Sequence, residues 1–260
     1  MISSFCSRTK TNNDEESKEL ITSAQLELEQ ERDNLAEKLG EEKKNNVLLL
    51  PTLVAIGSVR EGKSSLCNVL AGKIFNHNQF PINGTTKTLK DKVQWGGDGR
   101  TFWLIDTPGF SGIRENKDET ENSIVLEIKT HSEVNVFAIV LDGSEPRFVD
   151  SRKKMIQKFK VMFGDKFLEK NTVFVITKWH YDEDSCARRE ISGQNEMSLE
   201  RDINQILKET FRVKNPKGVP VIFLDVHHQD ESKEKMKFKK GLDDLENCLK
   251  TFPSYDCKSI

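Results

Sequence analysis

The residues whose types and order most clearly announce a chemistry are Gly57-Ser58-Val59-Arg60-Glu61-Gly62-Lys63-Ser64-Ser65. They match the pattern G-x-x-x-x-G-K-[ST] in full. Glycine at both ends lets the backbone turn tightly and approach an oxygen atom with no Cβ in the way. Successive N–H groups can then form a concave anion nest at the start of a helix. A lysine at position 63 reaches β and γ phosphates, and the hydroxyl of Ser64 can ligate Mg²⁺. The expected ligand is therefore a nucleoside triphosphate, cradled by Gly57 through Ser65. Composition alone would produce this pattern in about one chain of this size in a hundred. The apolar run Leu53-Val54-Ala55-Ile56, which leads into the loop as a strand should, makes chance a poorer account still.

A second candidate is Leu104-Ile105-Asp106-Thr107-Pro108-Gly109, whose Asp106 lies 43 residues after Lys63. An aspartate ending a strand beside the phosphate loop can hold Mg²⁺ through water. Gly109 can offer its N–H to a γ-phosphate and act as a hinge when that phosphate leaves. Between the two lies Asn83-Gly84-Thr85-Thr86-Lys87-Thr88. A threonine here can give its hydroxyl to Mg²⁺ and its N–H to the γ-phosphate; Thr86 is the first choice and Thr85 the second. The metal set so read is Ser64, Thr86 and Asp106. Lys63, with the loop N–H groups, would stabilise charge on the β–γ bridge, and Thr86 and Gly109 would address the γ-phosphate. No residue stands out as a general base.

A base-reading loop belongs at the end of a later strand, where the sequence has Thr177-Lys178-Trp179-His180. The usual N-K-x-D is absent. Lys178 can lay its alkyl stem along a base. His180 stands where an aspartate would accept the guanine N1 and N2 protons, with Asp182 and Asp184 following. Trp179 can stack on a base or cap the core. Phe223-Leu224-Asp225-Val226 ends the last strand and can contribute groups to the base, Asp225 among them.

These residues need a scaffold that gathers strand ends. Apolar β-type runs fall at Leu48–Ile56, Thr101–Ile105, Val134–Leu141, Thr172–Thr177 and Val219–Leu224. Helical periods fall near Lys63–Ala71, Asp118–His131, Arg147–Phe163, Met197–Arg212 and Lys233–Phe252. Strand alternating with helix predicts an α/β, three-layer sandwich around a mostly parallel sheet. Asp91–Trp95, Gly96-Gly97-Asp98-Gly99 and Arg100–Ile105 leave no room for a helix, so they predict a hairpin with one antiparallel edge strand. This domain should occupy residues 47–260. Residues 1–46 are almost wholly polar and read as a disordered tail followed by a polar helix. Ile21, Leu28 and Leu35 recur every seven residues, which suits either a short coiled coil or an amphipathic helix packed on the domain.

The 260 residues carry a formal net charge of −2, so no basic field points to nucleic acid as a partner. The five cysteines are scattered, with neither CxxC spacing nor a disulfide framework. A reducing compartment follows, and the location expected is cytoplasmic. No signal peptide, myristoylation site or apolar span is present. Cys6 can accept a palmitoyl group or stay an idle thiol. The ending Cys257-Lys258-Ser259-Ile260 fits a prenylation frame poorly and reads as an unmodified tail or a fragment end.

The loop continues as Gly62-Lys63-Ser64-Ser65-Leu66-Cys67-Asn68-Val69-Leu70-Ala71-Gly72-Lys73-Ile74-Phe75. This resembles the extended phosphate loop of the AIG-type GTPases, the group of the GTPases of immunity-associated proteins. Chloroplast import receptor GTPases and septins are more distant relatives. Thr86-Lys87-Thr88 sits at the family's switch threonine. Ile139-Val140-Leu141-Asp142-Gly143-Ser144-Glu145-Pro146-Arg147-Phe148 resembles its signature box. The resemblance spans Leu49 to Phe252 and implies GTP and GDP with Mg²⁺ as ligands. It also implies slow GTP hydrolysis assisted by dimerisation across the nucleotide face, and at times a place at intracellular membranes. Arg60 or Arg114 can act across such an interface or be an exposed charge. Two departures stand out: the base-reading motif is neither R-K-x-D nor N-K-x-D, and Phe110 follows DTPG where many small GTPases place glutamine. A non-hydrolysing nucleotide-dependent scaffold and an ATP-using P-loop enzyme are the rival readings.

Overall fold

The computed structural model describes residues 50–72, 85, 87–95, 100–110, 117–130, 133–144, 150–226 and 232–257, together with Arg32. The chain divides into two compact units, Met1–Leu50 and Pro51–Ile260. In the first, only Arg32, which is helical, and Leu50 are described. The expected tail and heptad helix lie outside the described residues.

In the second unit the chain runs β1 (Thr52–Ile56), α1 (Lys63–Ala71), β2 (Leu89–Gln94), β3 (Thr101–Asp106), α2 (Lys117–Thr130), β4 (Glu133–Val134) and β5 (Val136–Asp142). It continues through α3 (Asp150–Phe163), α4 (Lys166–Lys170), β6 (Thr172–Thr177), α5 (Glu183–Ile191), α6 (Glu196–Glu209), β7 (Val221–Phe223), α7 (Ser232–Thr251) and β8 (Tyr255–Asp256). Among the described residues, one six-stranded sheet has the order β2-β3-β1-β5-β6-β7. Strand β2 is antiparallel to β3, and the other pairings are parallel. The expected α/β sandwich with an antiparallel edge is thus what forms. The hairpin closes through Trp95 N–H donating to the Arg100 carbonyl at 2.8 Å.

Alternation along the strands builds the layers. Val54, Ile56, Phe137, Ile139, Leu141, Phe174 and Ile176 face one core with Ile124 and Ile128 of α2, Ile156 and Phe159 of α3, and Ile203 of α6. Leu53, Ala55, Val136, Ala138, Val140, Val173 and Val175 face the other, with Leu66 and Leu70 of α1 and Leu245 and Leu249 of α7. Both faces of β5 are covered, which is why its sequence is a continuous apolar run. The first core is rich in phenylalanine. Phe137 lies 5.0 Å from Phe163 and 5.6 Å from Phe167, ring centre to ring centre. Truncating a buried phenylalanine of this kind costs about 3–5 kcal/mol.

Three differences from the sequence reading have physical causes. The run Val134–Leu141 is two strands, because Asn135 bends the chain and its Oδ1 accepts the Thr52 N–H at 3.0 Å. Helix α5 lies in a stretch that shows no helical period in sequence. Its one buried residue is Ser185, so it carries no apolar stripe. The C-terminal β8 pairs antiparallel with β4, and the Tyr255 hydroxyl donates to the Phe163 carbonyl.

Candidate functional site

The parallel strands all end on one edge, and that edge collects the candidate residues. Gly57 follows β1; Asp106, Asp142 and Thr177 close β3, β5 and β6; Asp225 lies just beyond β7. A crevice outside the carboxyl ends of such strands is the usual ligand site of an open α/β sheet.

The loop after β1 fits closely between its neighbours. A Cβ on Gly57 would stand 2.6 Å from the Val140 carbonyl oxygen. Gly62 has φ of 95°, in the left-handed region, and a Cβ there would meet Thr177 Oγ1 at 2.8 Å. Both positions therefore need glycine for room, and Gly62 needs it for conformation as well. Gly62 is the N-cap of α1 and supplies no side-chain cap. The helix thus presents its first turn, Lys63, Ser64 and the half-buried Ser65, to a ligand rather than to a capping side chain.

Lys63 is 5% exposed and donates to the Ser58 carbonyl at 2.8 Å. Burial lowers its pKa to about 8, against the opposing pull of the Asp106 and Glu61 charges. A buried, partly desolvated ammonium is poised to gain from an arriving anion. The Ser64 hydroxyl donates to Asp106 Oδ2 at 2.7 Å and lies 2.8 Å from Thr85 Oγ1. Thr85, the second choice from sequence, is thus at the site; Thr86 lies outside the described residues. Two hydroxyls and a buried carboxylate form a hard-oxygen set of the kind Mg²⁺ takes alongside phosphate and water. Among the described residues there is no cluster of three or more His, Cys, Asp or Glu able to hold a metal. The hydroxyls of Ser64 and Thr85 and the Asp106 carboxylate are thus the oxygen donors gathered at the start of α1.

The DTPG segment is pinned to the loop. Thr107 donates its hydroxyl to the Ala55 carbonyl at 2.7 Å, and Phe110 N–H donates to the Gly57 carbonyl at 3.0 Å. A Cβ on Gly109 would lie 2.5 Å from a methyl of Val59 and 2.7 Å from its nitrogen. Phe110 is buried and packs edge-on against Phe159 at 4.3 Å. The position after DTPG thus serves the core and holds no water-orienting group.

The base-loop residues separate into three roles. Thr177 donates to the Glu61 carbonyl at 2.6 Å, so it braces the phosphate loop. Lys178, with φ of 53°, donates to the Arg60 carbonyl at 2.8 Å and to Asp142 Oδ2 at 2.5 Å. Burial pushes the Asp142 carboxyl up, but hydrogen bonds from Lys178 and Ser144 outweigh it and hold its pKa below the usual value. Trp179 is 1% exposed, edge-on to Phe223 at 5.0 Å and covered by the Arg189 guanidinium at 4.5 Å. Of its two possible roles it takes core capping, and it leaves the set of base-stacking candidates. Asp225 is buried, and its carboxylate accepts from His180 Nδ1 at 2.9 Å. Asp182 caps α5 through the Ser185 N–H at 2.9 Å, and hydrogen bonding from the Ser185 side chain and N–H lowers its carboxyl pKa. A cavity of about 290 Å³ beside this loop is lined by Gly143, Lys178, His180, Arg188 and Arg189.

Two functional neighbours escaped the sequence reading. Asp142 had been read only as part of the signature box. Arg152, on the buried face of α3, donates to both Glu61 carboxylate oxygens. Arg60 is exposed on the loop, and Arg114 lies outside the described residues.

With this geometry in place, the matching family profile is AIG1, over residues 51–245. The chain belongs to the AIG1 family. No curated protein matches this AIG1-family chain. Among solved structures, Toc33 from Arabidopsis thaliana in complex with GDP and Mg²⁺ aligns with a TM-score of 0.56 at 18% identity, covering 86% of this chain and 94% of that one. A structure of the chloroplast translocon components atToc33 and psToc159, for which dimerisation is described as important for GTPase activity, gives a TM-score of 0.63 at 15% identity. It covers 86% of this chain and 92% of its own. Era from Aquifex aeolicus, bound to GDP and AlF4⁻, gives 0.51 at 19% identity, covering 78% and 57%. At such identities the likeness is one of fold. No described helix of this AIG1-family chain is long and apolar enough to cross a membrane.

Proposed function

We propose that this chain binds GTP and GDP with Mg²⁺, hydrolyses GTP slowly, and acts as an assembly switch by pairing copies across the nucleotide face. The observation that carries the reading is the meeting of Lys63, Ser64, Asp106 and Thr85 at the uncapped start of α1. Membership of the AIG1 family supports it, as do the nucleotide, Mg²⁺ and dimerisation named for the fold neighbours.

In this reading the backbone of Gly57 through Ser65 cradles the phosphates and Lys63 neutralises the β–γ bridge. Ser64 and a switch threonine, Thr85 or Thr86, would hold Mg²⁺, with Asp106 behind water. The ion would supply charge neutralisation at the phosphates. Gly109 senses the γ-phosphate through its N–H, from a position locked against Val59. Thr177 and Lys178 tie the base side of the site to the loop. Asp225 presents His180 to the base region.

The buried Phe110 favours one second reading, a scaffold that binds nucleotide and hydrolyses it negligibly. Single-turnover hydrolysis of GTP across a range of protein concentrations separates the two. The switch predicts a rate constant that rises with concentration as copies pair, with Arg60 of one copy available to the other. No product at any concentration would leave only the scaffold.

A further inference from the structure

The phosphate loop contains a carboxylate where a bound triphosphate would concentrate negative charge. Glu61 is 8% exposed, so neither bulk water nor salt screens it well. It sits immediately before Gly62 and Lys63, within the segment whose N–H groups would face phosphate oxygens. Unopposed, such a charge works against the site's purpose.

Among the described residues, the Arg152 guanidinium is the cation hydrogen-bonded to it. Arg152 is 4% exposed on the face of α3 that also buries Met155, Ile156 and Phe159. Its Nε donates to Glu61 Oε1 at 3.3 Å and its Nη2 to Oε2 at 3.1 Å. The same Nη2 donates to the Asp142 carbonyl at 2.8 Å, and the Asp142 N–H donates to Glu61 Oε2. The carboxylate is thus held on the end of β5 and on α3 by three donors. Stability alone is a weak reason to keep such a pair, because replacing a buried ion pair by packed apolar residues is often neutral or favourable.

We propose that Arg152 is a positioning residue for the phosphate loop, neutralising the Glu61 carboxylate and anchoring it on β5 and α3 so that bound phosphates do not meet its charge. This inference rests on the nucleotide-binding reading above.

The test measures affinities of the full chain for GTP, GDP and GMP, each with Mg²⁺, in three variants. Arg152→Met should weaken GTP at least about tenfold, because it leaves a buried charge uncompensated. The loss should shrink from GTP to GDP to GMP, as an electrostatic effect on phosphates must. The double variant Glu61→Gln with Arg152→Met removes both charges and should recover most of the GTP affinity. Arg152→Lys keeps the charge but loses the two-pronged contact. It should lose less than Arg152→Met, and it carries the test alone if Arg152→Met does not fold, through a smaller loss graded in the same order, greatest for GTP and least for GMP. A double variant as impaired as Arg152→Met would overturn the proposal. So would an Arg152→Met that lowers Tm but leaves GTP affinity intact, or an Arg152→Lys loss equal for GTP, GDP and GMP. If the wild-type chain binds GTP and these outcomes follow, only the role of Arg152 falls. If the wild-type chain binds no nucleoside triphosphate, the proposed function falls and takes this inference with it.

Discussion

The phosphate loop and the base loop lie side by side on one sheet edge, yet they are built from different materials. The phosphate loop is largely backbone: glycines chosen for room, an uncapped helix start, and one buried lysine. Backbone geometry leaves a rigid signature in sequence, because only certain residues permit it. The base loop is made of side-chain contacts. Thr177 and Lys178 grip the phosphate loop, Asp142 grips Lys178, and Arg189 donates to the His180 carbonyl at 2.5 Å. Side chains can be exchanged for others that do the same task, so such a loop need not carry a fixed motif. The difference teaches that a strand-end loop without N-K-x-D can still be held firmly in place. Here the loop is held from both sides by residues outside the motif.

The comparison makes separable predictions. The largest effect is expected at Lys63→Ala. It should weaken every nucleoside triphosphate by about 100-fold or more, roughly 3 kcal/mol, whatever the base. Calorimetric titration with GTP and ATP checks this. A loss confined to one base would break the division of labour between the loops.

A smaller, base-dependent effect is expected at Asp142→Asn, which removes the charge that holds Lys178. The preference for GTP over ATP should fall about tenfold, roughly 1.4 kcal/mol, while inorganic tripolyphosphate binds nearly as before. Equal losses for all three ligands would show that Asp142 serves the phosphates instead.

The smallest effect is on pH. With Lys63 lowered to about 8, raising the pH through that value should discharge it in the ligand-free protein and weaken phosphate binding several-fold. Stability should move the other way. The unfolded lysine, at 10.5, holds its proton more tightly than the folded one. Unfolding therefore takes up protons between about 8 and 10.5, and this group's contribution to stability rises over that window. Thermal melts and nucleotide titrations across pH 7 to about 10 should show these opposite trends.

Much of this molecule was readable before its structure, for identifiable reasons. β1, β3, β5 and β6 announce themselves as apolar runs because both sheet faces are covered. The hairpin was legible from glycine spacing. Lys63, Ser64 and Asp106 were legible because their spacing is tied to backbone geometry. Helix α5 was not, since a helix burying only Ser185 has no apolar period to detect. The Asp182 cap with Glu183 and Asp184 behind it is the available signal, and Asp182 and Asp184 suit base-loop material as well. Arg152 was invisible for a related reason. A charged residue on a helix is exposed by default, and only its meeting with Glu61, 91 positions away, puts it inside. Trp179 was ambiguous because the residue type suits both a base and a core. Its burial beneath Arg189 resolves the choice.

The central claim is that a guanine nucleotide binds at the loop from Gly57 to Ser65. Its most direct test is displacement of a fluorescent GTP analogue from the Mg²⁺-containing protein by unlabelled GTP, GDP and ATP, with Lys63→Ala alongside. The account predicts displacement by GTP and GDP, displacement by ATP only at about 100-fold higher concentration or more, and binding to the variant weakened about 100-fold or more. Equal displacement by ATP, or undiminished binding to Lys63→Ala, would contradict it.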